Sequence, residues 1–370
     1  MHKTKLIFKS LIIIILTPFF LCGCYDAVPI EELSLIVGIG DDLDTECDYP
    51  YSATLETLIF KGNNKVSHTA LTGKGYTLYT TQNDRQTKNS KEWLLADEVV
   101  YLISESRARS GIKDFMDAIL RDSNRNENAY IAISKQSTKK FFTNEPLYST
   151  TNSEEIASLL EFSKEANFFY TKPTLMNMLL SYNQEGRKMT LLYIDLKEGR
   201  PQVTGLALFK GATMIEKVSL SEARLINLLR NNNSTGYISI NTSNKENYTD
   251  FTGKNRVKVK VSKQNNIFVY DIYVTLKGVL TVNSICEEDN SFCNKEKIQS
   301  AFEEKLEKEL YKEIQKMQQV YKTDWLDLGY YAVAKYGREK NIDSDNNFCK
   351  SKINVHVNVK VTSLGRKLDK

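Results

Sequence analysis

Leu21-Cys22-Gly23-Cys24 is the stretch of this chain with the clearest covalent chemistry. A large aliphatic residue, two small residues and a cysteine resemble a bacterial lipobox, where cleavage leaves the cysteine as the new amino terminus and its sulfur carries a diacylglycerol. Cys22 stands where Ala, Ser, Gly, Thr or Val is usual, but it is small. Cleavage before Cys22 would instead place Phe19, Phe20 and Leu21 in the site, so Cys24 is the assigned lipid carrier. Upstream, Lys3, Lys5 and Lys9 precede an almost wholly apolar run of 11 residues from Leu11 to Leu21. A bilayer-spanning helix needs about 20 residues, so this run fits the core of a secretory signal. An ordinary signal peptide with an incidental cysteine and an uncleaved short anchor are the alternatives. Two acyl chains on Cys24 would give a lasting attachment, since one alone binds only marginally.

Other reactive groups are sparse. Beyond Cys24 the cysteines are Cys47, Cys286, Cys293 and Cys349, and four cysteines allow three pairings. Cys286 and Cys293 bracket a polar loop, so a local bridge fits an oxidising compartment, with free buried thiols as the alternative. No CxxC occurs and only His68 and His356 follow Cys24, so no metal site is expected. Asp42-x-Asp44-x-Glu46-x-Asp48 has the alternation of a calcium loop, but Cys47 replaces the turn glycine and Ala53 the bidentate glutamate; a solvated acidic turn is expected. Gly38-Ile39-Gly40 begins a dinucleotide fingerprint without the third glycine or a following helix. No GxSxG, HExxH, Walker or kinase motif occurs, so neither an enzyme nor a cofactor is indicated.

Composition bounds the partners. The chain has 50 Lys and Arg against 46 Asp and Glu; without Lys3, Lys5 and Lys9 the balance is 47 against 46. The lysines read as scattered among acids, which argues against a nucleic-acid or other polyanionic partner. The 347 residues after Gly23 suffice for two or three domains.

The elements that would carry this chemistry follow from periodicity. A hairpin is expected from strands at 33–40 and 51–60, then a helix at 91–96, a strand at 98–103, a helix at 112–120 and a strand at 130–133. Helices at 153–166 and 174–180 and a strand at 190–196 follow. Lys197-Glu-Gly-Arg-Pro201 reads as a domain boundary, since Gly and Pro punctuate a charged stretch. Beyond it come a strand at 203–209 and a capping box, Ser219-Leu-Ser-Glu222, opening a helix at 220–230. Alternating strands are expected at 257–261, 268–276 and 353–361. A long amphipathic helix spans 295–321, with Ile298, Phe302, Leu306, Leu310, Ile314 and Met317 on one side, expected to cover a sheet rather than meet a partner helix. The organisation is a signal peptide over 1–23, a lipidated cysteine and tether over 24–32, an N-terminal α/β region of two modules over 33–200, and a C-terminal α+β domain over 201–370. The class is α+β, with mixed sheets each packed by helices.

Three stretches together resemble the Ger(x)C family, the lipoprotein C subunits of nutrient germinant receptors in spore-forming bacteria. The first is Cys24-Tyr25-Asp26, Ile30-Glu-Glu-Leu33 and Val37-Gly-Ile-Gly40, with Tyr25 where Trp is usual. The second is Ile103-Ser-Glu105, Gly111-Ile112, Leu120-Arg-Asp122 and Asn128-Ala-Tyr130. The third is Thr204-Gly-Leu-Ala-Leu-Phe-Lys210, Glu222-Ala-Arg224, Asp327-Leu-Gly329 and the strand from Val355 to Val361; Tyr330-Tyr331 follows Gly329 where the family has an aromatic and Gly. The resemblance implies a non-catalytic subunit of three α+β modules on the outer face of the spore inner membrane, beside two integral membrane subunits of the A and B type. A ligand-binding lipoprotein of the transport type is the second reading, a lipoprotein enzyme the third. The first reading requires that Cys24→Ala abolish incorporation of a clickable fatty acid and leave precursor or soluble product; label retained by the variant contradicts the lipobox assignment.

Overall fold

The computed structural model describes residues 29, 32–61, 65–95, 98–122, 125–169, 172–241, 248–285, 294–338 and 341–364. Cys24, Cys286 and Cys293 lie outside the described residues. The chain runs β1 (Leu33–Leu43), β2 (Tyr51–Lys61), β3 (Lys65–Gly75), α1 (Leu78–Gln86), β4 (Glu92–Leu94), β5 (Val100–Ser104), α2 (Glu105–Ser110), α3 (Lys113–Arg121) and β6 (Tyr130–Ser134). It continues α4 (Thr138–Phe142), α5 (Asn152–Phe162), α6 (Leu175–Asn183), β7 (Thr190–Lys197), β8 (Arg200–Lys210), β9 (Thr213–Ser219) and α7 (Leu220–Arg230). Last come β10 (Thr235–Asn241), β11 (Tyr248–Gln264), β12 (Ile267–Asn283), α8 (Lys295–Lys316), α9 (Leu328–Tyr336), α10 (Asp345–Lys350) and β13 (Lys352–Ser363).

Two sheets result, one of nine strands in the order β3-β2-β1-β5-β6-β7-β8-β9 with β4 beside β1, the other in the order β10-β11-β12-β13. Helices on mixed sheets make the class α+β, as expected. In the large sheet β1, β5, β6 and β7 are parallel, and antiparallel hairpins complete both edges. The two modules expected over 33–200 therefore share one sheet, and β8 and β9 from beyond the expected boundary close its edge. The boundary segment is itself a hairpin turn: Lys197 pairs with Arg200, and Glu198 (φ 53°) and Gly199 (φ 74°) both take the left-handed conformation of a tight two-residue connection.

Three further differences have local causes. The helix expected at 91–96 is absent: Glu92–Leu94 forms a short strand on β1, and the helix lies earlier, at α1. α1 has no apolar stripe to announce it and is held by a capping box between Thr77 and Thr80. β3 is a polar outer strand whose residues alternate too weakly to read.

The acidic turn also differs at its start. Asp41 and Asp42 are buried in β1 rather than solvated. Asp42 accepts from the Thr138 N–H at 2.9 Å and the Thr138 hydroxyl at 2.5 Å, holding the first turn of α4. One neighbouring contact works alike. Glu56, in register with Gly38, is buried and accepts the N–H groups of Asn152 (2.9 Å) and Ser153 (2.7 Å) at the start of α5. A carboxylate there satisfies donors that have no partner within the helix. Gly38 and Gly40 make the approach possible, since a Cβ would stand 1.9 Å from Ser153 Oγ and 2.1 Å from Thr138 Oγ1.

In the second sheet β11 and β12 form a hairpin of two 17-residue strands, and β13 adds parallel to β12. α8 covers the inner face with the expected side chains: Ile298, Phe302, Leu306, Leu310, Ile314 and Met317 are all buried in one core with Val357, Val359 and Val361. The other side of β13 is a free edge, which unprotected would pair with another chain. Gln299, Glu303 and Glu307 of α8 accept its N–H groups at Val361 (2.9 Å), Val359 (2.8 Å) and Val357 (2.9 Å). Four residues of helix advance about 6.0 Å and two of strand about 6.6 Å, so the two ladders stay matched over three successive contacts. Leu306 is 1% exposed at the centre of this packing, and Leu306→Ala in the full chain should cost about 2–5 kcal/mol by urea unfolding; an unchanged midpoint contradicts the sheet-covering role.

Candidate functional site

The two sheets meet at Asp324-Trp-Leu-Asp-Leu-Gly329, between α8 and α9. Trp325 is fully buried and donates its indole N–H to the Phe209 carbonyl of β8 at 2.8 Å. Asp324 accepts the N–H of Leu326 (3.1 Å) and of Gly329 (2.7 Å), which turns the loop into α9. Burial pushes the Asp324 carboxyl up to about 7 despite these donors. Asp327 stands in the left-handed conformation (φ 57°) immediately before α9, so the turn needs no glycine after Gly329. Gly329 passes Gly186, where a Cβ would come within 2.2 Å of the Tyr330 nitrogen.

Arg230, the last residue of α7, reaches this loop from below. Its guanidinium is 3.0 Å from the Asp327 carboxylate and donates to the Trp325 carbonyl (3.4 Å), the Thr190 hydroxyl (3.2 Å) and the Lys188 carbonyl. Asp327 also accepts the Lys188 N–H at 2.9 Å. Burial raises the Asp327 carboxyl and the Arg230 charge opposes that rise. Asp343 accepts the Gly186 N–H at 2.8 Å, and Asp345 faces Lys210 at 3.2 Å and Lys188 at 3.5 Å. Arg230, Asp327, Asp343 and Asp345 thus clasp the loop before β7.

A cleft of about 390 Å³ opens beside this clasp, lined among others by Thr174, Arg187, Thr190, Arg230, Asp327 and Tyr330. Arg187 lies over the Tyr330 ring, 4.8 Å from its centre. The geometry joins two parts of a fold; its acid and base are spent on each other. Of the sequence-predicted residues, Asp327 and Gly329 are brought here, while Cys47 is an exposed free thiol far along the chain from the clasp and Cys349 a half-buried one four residues after Asp345. His68 Nδ1 stands 2.9 Å from the buried Glu56, and His356 stacks on Tyr273 at 4.9 Å. Among the described residues no group of His, Cys, Asp and Glu has the arrangement of a metal site, and no helix is long and apolar enough to cross a membrane. Arg230 and Asp324 were not singled out by sequence reasoning; the only signal was an aspartate pair three apart around two apolar residues.

Truncating one partner of a buried ion pair leaves the other uncompensated. Arg230→Ala should therefore cost about 3–5 kcal/mol at neutral pH, measured by urea unfolding. Without the arginine the folded-state pKa of Asp327 rises further above its unfolded value. The deficit is smallest where parent and variant both hold this carboxyl protonated, and it grows as pH rises through the parent's own raised Asp327 pKa towards neutrality. A deficit independent of pH contradicts this role for the pair.

The comparisons with known proteins agree with this two-part organisation. Residues 26–196 match the family model described as the spore germination protein N-terminal domain, and residues 204–365 match that described as spore germination B3/GerAC like, C-terminal. The first ends and the second begins on either side of the turn at Glu198-Gly199. The chain is 23% identical over 316 residues to spore germination protein B3 of Bacillus subtilis (strain 168), covering 82% of this chain and 83% of that protein. It is 22% identical over 231 residues to spore germination protein GerQC of Bacillus cereus, covering 62% and 63%. The crystal structure of the GerBC protein has the same fold with TM-score 0.56 and 16% identity, over 88% of this chain and 97% of that one. With both family models matched in order along the chain, this protein belongs to the Ger(x)C family of spore germination proteins.

Proposed function

We propose that the chain is the lipid-anchored, extracytoplasmic and non-catalytic subunit of a spore nutrient germinant receptor, working beside two integral membrane subunits. The observation that carries this reading is the tandem match of both germination domains, beginning two residues after Cys24. Cleavage before Cys24 would remove 1–23, and β1 begins at Leu33, so the tether over 25–32 extends at most about 28 Å. The body then stays within one molecular diameter of the bilayer and of its membrane partners. Cys286 and Cys293 would form a local bridge in that compartment.

The test uses spores whose other nutrient receptors are deleted. Deleting this gene should abolish the fall in optical density that nutrient triggers. The intact gene should restore the response, and Cys24→Ala should restore little of it. Undiminished germination of the deletion strain with every nutrient that activates its parent contradicts the proposal.

A further inference from the structure

The outward face of the four-stranded sheet carries an arrangement of charge that its own stability does not explain. Register places Lys254, Lys277 and Lys360 directly beside one another on β11, β12 and β13. The next rows add Arg256 with Thr275 and Asn358, then Lys258 with Tyr273 and His356, then Lys260 with Asp271 and Asn354. All six cations are exposed, while the alternate residues face the core. Among the described residues none of Lys254, Arg256, Lys258, Lys277 and Lys360 forms an ion pair. Asp271, the lone carboxylate of these rows, accepts from Asn354 at 2.8 Å and stands 3.9 Å from His356. Lys260 lies over the Tyr273 ring, 5.1 Å from its centre. Like charges directly opposite in a sheet oppose folding. The near-neutral balance of the whole chain makes the segregation local, so the expectation of lysines scattered among acids does not hold for this face.

We infer that this face is a docking surface for anionic phospholipid headgroups. The inference rests on the proposed anchoring at Cys24, which confines the body near a bilayer and supplies the surface at high effective concentration. The chemistry of the face favours headgroups over an acidic protein. A specific protein interface has a desolvated core with aromatic or aliphatic anchors. These rows offer a single large ring, Tyr273, only 36% exposed and already stacked with His356. An array of cations spread over three strands needs no pocket and no apolar anchor to meet a planar field of phosphates.

The chain from Tyr25 to Lys370, which retains every described residue of both cores, separates this face from the lipid anchor. It should float with vesicles of about two parts phosphatidylcholine to one part phosphatidylglycerol, not with phosphatidylcholine alone, and should dissociate as salt screens the charges. Each lysine near an anionic surface strengthens binding about fivefold. The triple variant Lys254→Thr, Lys277→Thr, Lys360→Thr should therefore bind on the order of a hundredfold more weakly, while its melting temperature rises because the repulsion is gone. Arg256→Thr with Lys258→Thr gives an independent loss, and Lys139→Gln, Lys140→Gln, Lys308→Gln on exposed helices should bind as the parent does. Absence of flotation, equal flotation with neutral vesicles, or undiminished binding by the triple variant overturns the inference. Binding to poly-glutamate without binding to vesicles also overturns it, in favour of an acidic protein. Fatty-acid labelling at Cys24 reads the anchor separately, so labelled protein without vesicle binding overturns this inference alone.

Discussion

Arg230 is the constraint on which the arrangement of the two sheets depends. A guanidinium cannot shed its proton, so a nearly buried one must find acceptors in fixed directions. Arg230 finds them on three segments at once: the loop before β7, the start of β7 and the 325–327 turn. Its position at the end of α7 is set by the helix itself, whose capping box begins it at Ser219 and whose buried Ala223, Ile226 and Leu229 seat it on the large sheet. The same helix contacts α8 through Glu222 and Lys316. One helix thus carries the large sheet, the small sheet and the clasp between them. Its buried residues belong to a single apolar cluster running from Val100 to Val361.

Helix ends are handled similarly elsewhere. Asp42 and Glu56 hold the first turns of α4 and α5, and the glycines of the Val-Gly-Ile-Gly stretch clear the space for those turns. Those glycines therefore serve helix packing against β1, which is a sufficient physical reason for their presence without any bound phosphate. At the opposite end of the chain, three acceptors of α8 close the edge of β13. Several carboxylates and amides of this protein, among them Asp42, Glu56, Glu303 and Gln299, thus satisfy backbone donors and hold the packing of helix on sheet.

Elements whose evidence is local were legible in the sequence. Ser219 and Glu222 mark the start of α7 to the residue, and the stripe from Ile298 to Met317 gives the buried side of α8, whose α-helical part ends at Lys316, where a π-helical turn over Met317–Tyr321 takes over to the expected end. Periodicity finds β11, β12 and β13 because apolar residues alternate with polar ones there, though the expected 257–261 and 268–276 cover only part of two 17-residue strands. What depends on register was hidden. Nothing in the separate segments shows that Lys254, Lys277 and Lys360 become neighbours, because that follows from a 17-residue hairpin and a parallel crossover. Arg230 was unremarkable as a basic residue at a helix end, where it suits the helix dipole in any protein. Its acceptors lie 40 to 97 positions away in the chain. Lys197–Pro201 reads as a domain boundary, and the two family models do divide the chain there; that the same residues also make a tight hairpin turn within one sheet was hidden, because the turn and a boundary share residue types.

In the proposed function a two-sheet body is held close to a bilayer, next to integral partners. Affinity isolation of the tagged full-length protein from detergent-solubilised spore inner membranes, with mass spectrometry of what accompanies it, tests that placement most directly. The account predicts recovery of two integral membrane proteins in constant proportion to the tagged chain. Recovery of the chain alone, or with a permease and an ATPase, would contradict it.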